Sequence, residues 1–169
     1  MKIETIEKIL YFLKEKEGKK LPSKWLDSIE TIKSIKELEN HPDGTQYRHK
    51  GNVYLADKKT LTKLPNDLHV DGYLVLKGCT KLIKLPDKLY VGGRLTLRKC
   101  RQLTKLPDNL HVDSYLDLDN SGIINIPNNL YVGGDLYISN TPLAKKYTHE
   151  EIREMIKSKG GTVIGKIHK

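Results

Sequence analysis

The residues that could do chemistry are few and scattered along this chain of 169 residues. A nucleophile needs an oriented base and a metal ion needs convergent ligands, and the six histidines show neither arrangement. His69 and His111 occupy the same position of a repeated segment, two coils apart, which at about 4.8 Å per coil leaves their rings about 10 Å from each other. The sequence also contains no glycine-rich phosphate loop. We therefore expect a protein that is not an enzyme and needs no cofactor or metal ion.

The two cysteines also stand at equivalent positions, one coil apart. Cys79 and Cys100 are too few for a disulfide scaffold and lack the paired spacing of a zinc site. Stacking of adjacent coils would bring their Cα atoms near the range of a disulfide, so a bond stays open as an alternative. We expect two buried thiols that pack as small apolar groups.

A seven-residue segment recurs at a nearly constant period. Residues 64–70, with the sequence LPNDLHV, return in similar form at 85–91, 106–112 and 126–132, so the spacings are 21, 21 and 20 residues. A fixed period in this range is typical of solenoids, in which no coil can bury its apolar side chains without a neighbour. The repeat therefore predicts stacked coils over residues 51–144.

Each copy is followed by a short run in which apolar and other residues alternate. The apolar pairs of these runs are Val53/Leu55, Leu74/Leu76, Leu95/Leu97, Leu116/Leu118 and Leu136/Ile138. Alternation is typical of a strand with one buried face, and the proline of each unit marks a turn because it cannot donate to a ladder. We predict about five rungs, each coil contributing one short strand and an extended return.

The segment 74–82 has the pattern LxLxxCxxL, which returns at 95–103. This pattern resembles the signature of leucine-rich repeats, and the Leu-Pro-Asp segment that follows is similar to a short bacterial and phage variant. The resemblance covers about residues 51–144 and implies an α/β repeat, a leucine-rich-repeat-like solenoid with a short parallel β-ladder. The chain departs from the family pattern at the asparagine or cysteine position of three coils, which hold Lys58, Ser121 and Thr141. A right-handed β-solenoid is the closest alternative, because residues 90–93 could form a second short strand.

Both ends lack the repeat and are predicted to cap the solenoid. Residues 1–50 show two amphipathic helical stripes and form a helical N-terminal cap. Residues 145–169 contain a capping box at Thr148 and Glu151, which predicts a helix-containing C-terminal cap, followed by a strand at 162–164. A helix-turn-helix reader of nucleic acid at 1–50 is disfavoured, because this segment has 11 Lys and Arg against 9 Asp and Glu.

The chain is basic, with a formal net charge of +9, but its charge is spread thinly. Charged residues interrupt every apolar stretch, which argues against a membrane span and a signal peptide. We therefore expect a soluble, cytoplasmic protein. By analogy with phage-encoded repeat proteins, the compartment would be the host cytoplasm.

A partner is expected on the outward face of the strand ladder, because stacked strands present a rigid surface. The predicted partner-binding residues are Tyr54, Tyr73, Lys77, Arg94, Thr96, Arg98, Tyr115, Asp117, Asp119, Asp135 and Tyr137. Tyrosine and arginine are common anchors of protein interfaces, and the cations precede the acids along the ladder. We therefore predict a non-enzymatic protein-binding module that docks an unidentified partner of opposite polarity. The resemblance to phage proteins implies, by analogy alone, an inhibitor of a host protein.

The alternative function is nucleic-acid binding. Lys77, Arg94, Arg98 and the basic C-terminus would grip phosphates while tyrosines stack on bases. The acids of the last rungs would repel a phosphate backbone that runs the length of the ladder, which favours the protein partner. No membrane partner is expected, and the oligomeric state is left open.

Overall fold

A computed structural model describes residues 47–169, and the two helices predicted within 1–50 fall almost wholly on residues outside this range. The described chain winds through stacked coils, and each coil contributes one strand to each of two sheets. The first sheet contains β1 (Tyr47–His49), β3 (Leu68–Val70), β5 (Tyr90–Val91), β7 (His111–Val112), β9 (Tyr131–Val132) and β11 (Thr162–Val163). The second sheet contains β2 (Val53–Tyr54), β4 (Leu74–Val75), β6 (Leu95–Thr96), β8 (Leu116–Asp117), β10 (Leu136–Tyr137) and β12 (Ile167–His168).

The architecture is a parallel β-solenoid, which is the alternative that the sequence left open. Every strand pair is parallel, and the register places each residue beside its equivalent in the next repeat, as Leu95 beside Leu116. The expectation of one strand per coil is corrected to two, because Tyr90–Val91 and its equivalents form their own ladder. A two-sheet solenoid does not by itself show the leucine-rich repeat family, and that assignment stays a prediction.

Columns of identical or similar apolar residues fill the interior. Leu74, Leu95 and Leu116 are fully buried one above another, and the pattern repeats at the other inward positions of each coil. Burying a leucine stabilises a fold by about 1.5–3 kcal/mol, but only if a neighbouring coil covers it. The coils therefore depend on each other for stability.

Cys79 and Cys100 are free, buried thiols, as predicted. The two Sγ atoms donate to the carbonyl oxygens of Leu55 and Leu76, each at 3.1 Å. Burial raises the pKa of Cys100 to about 12. Ser121 occupies the next place in this column, and its buried Oγ has no hydrogen-bond partner among the described residues.

Two corners of each coil require a residue in the left-handed region of φ. The non-glycine residues with such a φ, between 49° and 64°, are Asp57, Asp67, Lys88, Lys99, Asn109, Asn120, Asn129 and Asn140. Asparagine and aspartate tolerate this conformation better than other side chains, which explains why they recur after each proline and after each second-sheet strand. Lys88 and Lys99 are the exceptions in this set.

Two helices lie between the last two coils. The helix α1 spans Pro142–Lys146 and α2 spans His149–Ser158, whose predicted capping box is confirmed: Thr148 N donates to Glu151 Oε2 and Glu151 N donates to Thr148 Oγ1. Buried Ile152 and Ile156 attach α2 to the core. The predicted strand after α2 is confirmed as β11, and β12 extends the second sheet. The division at residues 50 and 144 stays a prediction.

Candidate functional site

The predicted partner-binding residues lie together along one outer face of the solenoid. This face, which we call the second-sheet face, comprises the outward residues of β2, β4, β6, β8, β10 and β12 and of the positions that flank them. The outward residues alternate with the buried leucines of these strands, so none of the predicted residues is buried. The strand positions hold Tyr54, Thr96, Asp117 and Tyr137, and the flanking positions hold Tyr73, Lys77, Arg94, Arg98, Tyr115, Asp119 and Asp135.

Arg94 lies at the centre of the second-sheet face. Its Cζ lies 4.8 Å from the centroid of the Tyr73 ring in the coil before, and its Nη1 donates to Tyr115 Oη in the coil after, at 3.0 Å. The Nε of Arg94 is buried and has no hydrogen-bond partner among the described residues. The guanidinium is thus held in one place by a cation–π contact and one hydrogen bond.

Tyr115 continues the aromatic contacts toward the C-terminal end. Its ring meets Tyr137 edge to face at a centroid distance of 5.8 Å, and Tyr137 stacks on His168 at 4.5 Å. Asp135 accepts from Lys166 N at 2.8 Å and lies 3.0 Å from His168 Nε2. The His168 contact, followed by the bond from Lys166 N, lowers the pKa of the Asp135 carboxyl.

The opposite charges of the second-sheet face partly neutralise each other. Arg98 Nη1 lies 3.7 Å from an oxygen of Asp119 and 4.0 Å from one of Asp117, both in the next coil. Burial raises the pKa of Asp117, and the nearby Asp119 carboxylate raises it further. The order of these residues in the sequence had indicated a cationic patch and a separate acidic patch. At this boundary the two groups contact each other instead.

The other sheet carries a ladder of stacked rings that the sequence did not predict. Along its outer face His69 stacks on Tyr90 at 4.2 Å, Tyr90 on His111 at 5.0 Å and His111 on Tyr131 at 4.4 Å between centroids. The alternation of His and Tyr at one repeat position was visible in the sequence, but the strand that brings the rings together was not expected. We call these four residues the ring ladder. Its faces cover one another, so mainly the ring edges point outward.

Two carboxylates fix the polar edges of the ring ladder. Asp113 accepts from Tyr90 Oη at 2.5 Å and lies 2.7 Å from His111 Nε2. Asp71 contacts His69 Nε2 at 3.0 Å and accepts from Arg48 at 2.9 Å. The Tyr90 bond lowers the pKa of Asp113, and the Arg48 bond lowers that of Asp71.

The residue two positions after each ring of the ladder differs with the type of ring. It is aspartate in the coils with histidine and glycine in the coils with tyrosine. A Cβ at Gly92 would lie 2.4 Å from the carbonyl oxygen of Asp71, and one at Gly93 would lie 2.3 Å from the Tyr73 ring. Neither position has room for a side chain. The alternation of ring types is therefore coupled to the alternation of corner residues.

Residues 47–169 hold no group of three side chains that could bind a metal ion. Tyr90 lies between His69 and His111, so those two rings do not converge. In the same range no helix is long and apolar enough to cross a membrane.

No protein-family model, curated protein sequence or solved structure matches the chain significantly.

Proposed function

We propose that the chain is a non-enzymatic protein-binding module and that the second-sheet face is its interface. The observation that carries this proposal is the arrangement of Arg94 between Tyr73 and Tyr115 on an outward surface. Arginine and tyrosine dominate the binding energy of protein interfaces, and side chains already held in place lose less conformational entropy on binding.

The cost of holding Arg94 supports the same proposal. A buried nitrogen without a partner costs about 1–3 kcal/mol, which a solvent-exposed arginine would avoid. Among the described coils only the last has another cation at this position, the exposed Lys166, so folding alone gives no reason for the arrangement of Arg94. A residue kept at such a cost points to a role in recognition.

The aromatic contacts extend the proposed interface over several coils. A continuous row of rings is formed by Tyr115, Tyr137 and His168. Lys77 lies in the coil before Arg94, and Asp117 lies in the coil after it. The partner surface would then place carboxylates opposite Arg94 and Lys77. A host protein that the module blocks would be one such partner.

Nucleic-acid binding by Lys77, Arg94, Arg98 and the C-terminus is the second candidate for the same face, and the contacts favour it less. Arg98 faces two carboxylates, and one face of Tyr73 lies under Arg94. Tyr137 stacks on His168. Fewer cations and ring faces are therefore free for phosphates and bases.

A capture experiment with a matched control tests the proposal. We would immobilise the wild-type chain, the Arg94→Glu/Tyr115→Ala variant and the Arg153→Glu/Tyr131→Ala variant, incubate each with nuclease-treated lysate and identify bound proteins by mass spectrometry. The first variant should lose a specific protein that the wild type and the second variant retain.

The captured protein would then be purified and its affinity for each variant measured directly. We expect at least a hundredfold weaker binding for Arg94→Glu/Tyr115→Ala, because both substitutions remove anchors from one cluster. Hydrogen exchange should show protection at β4, β6 and β8 when the partner is bound. Equal affinity for both variants would refute the proposed interface, and capture of material from untreated lysate but none from nuclease-treated lysate would favour nucleic acid.

A further inference from the structure

The coils have a third side, which contains neither sheet. It runs through residues 61–64, 82–85, 103–106 and 123–126, between the corner that follows each second-sheet strand and the proline of each repeat. Leu82 and Leu85 point into the core, whereas Ile83 and Lys84 are exposed. The backbone bonds Ile83 N to Thr62 O and Ile124 N to Thr104 O hold neighbouring coils in register on this side.

Three lysines form a column on the third side. Lys63, Lys84 and Lys105 occupy the same repeat position in consecutive coils, and all are exposed. Coils paired through parallel strands lie about 4.8 Å apart, so the two outer Cα atoms are about 10 Å from each other. Four more exposed cations precede this column in the same coils, namely Lys59, Lys81, Lys99 and Arg101.

In this cluster, which we call the basic side, no acid lies between the cations of any one described coil. The runs 58–66, 77–86 and 98–107 contain no aspartate or glutamate. None of its cations forms an ion pair within 4.0 Å with a described acid, in contrast to Arg48 and Arg98 on the sheet faces.

Folding does not explain the basic side. Like charges placed beside one another on neighbouring coils destabilise a fold, and these lysines form no ion pair with a described acid that would offset the repulsion. The cluster also ends sharply on its C-terminal side, because the next coil holds Asn125 at the column position and no cation anywhere in 119–129. Among the described coils the charge is thus concentrated in three, which indicates a ligand rather than a general adjustment of solubility.

From these features we infer that the basic side binds the phosphate backbone of double-stranded nucleic acid without reading its sequence. A duplex carries a high linear charge density, about one charge per 1.7 Å of its axis, and suits a column of cations with no acid between them. The outward neighbours of the lysines are Thr62, Ile83 and Thr104, so no aromatic ring is available there to stack on the bases of a single strand. This inference is independent of the proposed protein interface, which lies on the second-sheet face.

A matched pair of triple variants tests the inference. Lys63→Gln/Lys84→Gln/Lys105→Gln removes the column, and Lys145→Gln/Arg153→Gln/Lys157→Gln removes three exposed cations from the region of α1 and α2. Binding to a fluorescein-labelled 20-base-pair DNA duplex of random sequence would be followed by anisotropy from 50 to 300 mM NaCl. Both variants lose the same net charge, so a difference between their affinities for the duplex shows that the position of the cations matters.

The column variant should bind at least about 30-fold more weakly than the wild type at 50 mM NaCl, and its slope of log affinity against log salt should be shallower by about 2 to 3. The control variant should stay within threefold of the wild type. The column variant should also unfold at a temperature no lower than the wild type, because it relieves repulsion between coils.

Three results would overturn the inference. One is no duplex binding by the wild type at 50 mM NaCl. Another is equal weakening in both triple variants, which would indicate net charge alone. The third is displacement of the duplex by poly-glutamate at an equal concentration of charge, which would indicate an acidic protein as the ligand.

Discussion

The two sheet faces use similar residues in opposite ways. On the first sheet, His69, Tyr90, His111 and Tyr131 alternate regularly, and their contacts are made within the ladder. On the second sheet, the outward strand position changes type at every coil, and Arg94 is held with a buried nitrogen that has no hydrogen-bond partner in residues 47–169.

The difference separates a column that folding explains from a face for which we propose a role in recognition. A regular column in which every ring and carboxylate contacts a neighbour is explained by folding, because each coil supplies what the next one needs. An irregular face gains nothing from repetition, and its residue types match those of protein interfaces. In a solenoid, departure from the repeat on an exposed face is thus a better guide to function than residue type alone.

The largest expected effect concerns the corner glycines of the first sheet. Gly92→Ala should lower the free energy of unfolding by about 3 kcal/mol, because its Cβ would clash with the Asp71 carbonyl and the backbone must shift. Asp113→Ala, one coil later at the same repeat position, should cost no more than about 1 kcal/mol. Urea denaturation of both variants measures this, and equal losses would show that the two kinds of coil are interchangeable.

A smaller effect distinguishes the tyrosines of the two faces. Tyr90→Ala should lower the free energy of unfolding by about 2 kcal/mol, because it removes two ring contacts and leaves Asp113 without its hydroxyl donor. Tyr73→Ala should cost less than about 1 kcal/mol, because its ring is 41% exposed and contacts Arg94 on one side. Thermal unfolding of the two variants would contradict the comparison if Tyr73→Ala were the more damaging.

The smallest effect is the response of the two faces to acid. The lowered pKa of Asp113 means that its ionised form stabilises the fold above about pH 4, and this contribution is lost as the pH falls through the folded-state value. The raised pKa of Asp117 has the opposite sign, so its ionised form costs stability at neutral pH.

Substitution of each aspartate by asparagine tests the sign of its contribution to the free energy of unfolding. Asp113→Asn should be less stable than the wild type at pH 7 and Asp117→Asn more stable, each by about 0.5 kcal/mol. The Asp117 difference should shrink toward zero at pH 3, where that carboxyl is protonated in the folded chain, whereas the Asp113 difference should only decline as the pH falls below about 4, because its folded-state pKa is lowered. Free energies of unfolding measured from pH 3 to pH 7 test this, and the same sign for both variants would rule out opposite environments.

The repeat alone was enough to predict the stacked coils, the buried columns and the second-sheet strands. It was also enough to place the residues of the proposed interface on one face, because a period of two fixes which side chains point outward. The contact of Arg98 with Asp119 could not be predicted in the same way, because it depends on the direction in which long side chains extend from one coil to the next.

The first sheet was harder to predict because each of its repeat strands lies between a proline and a small-residue corner, as Tyr90–Val91 lies between Pro86 and Gly92. Residues of this kind favour a turn over a strand. The last strand, β12, follows no copy of the repeat, so His168 could not be placed beside Tyr137 before the fold was known. Prediction failed where neighbouring coils, rather than the local pattern, determine the structure.

The coupling of histidine to aspartate and of tyrosine to glycine has a consequence for how such a chain can grow. Removing one coil would put two histidines or two tyrosines next to each other and bring mismatched corners into contact. Removing or duplicating two coils would preserve every junction of the ring ladder. The unit by which this solenoid can be lengthened or shortened is therefore a pair of coils, twice the period that its leucines display.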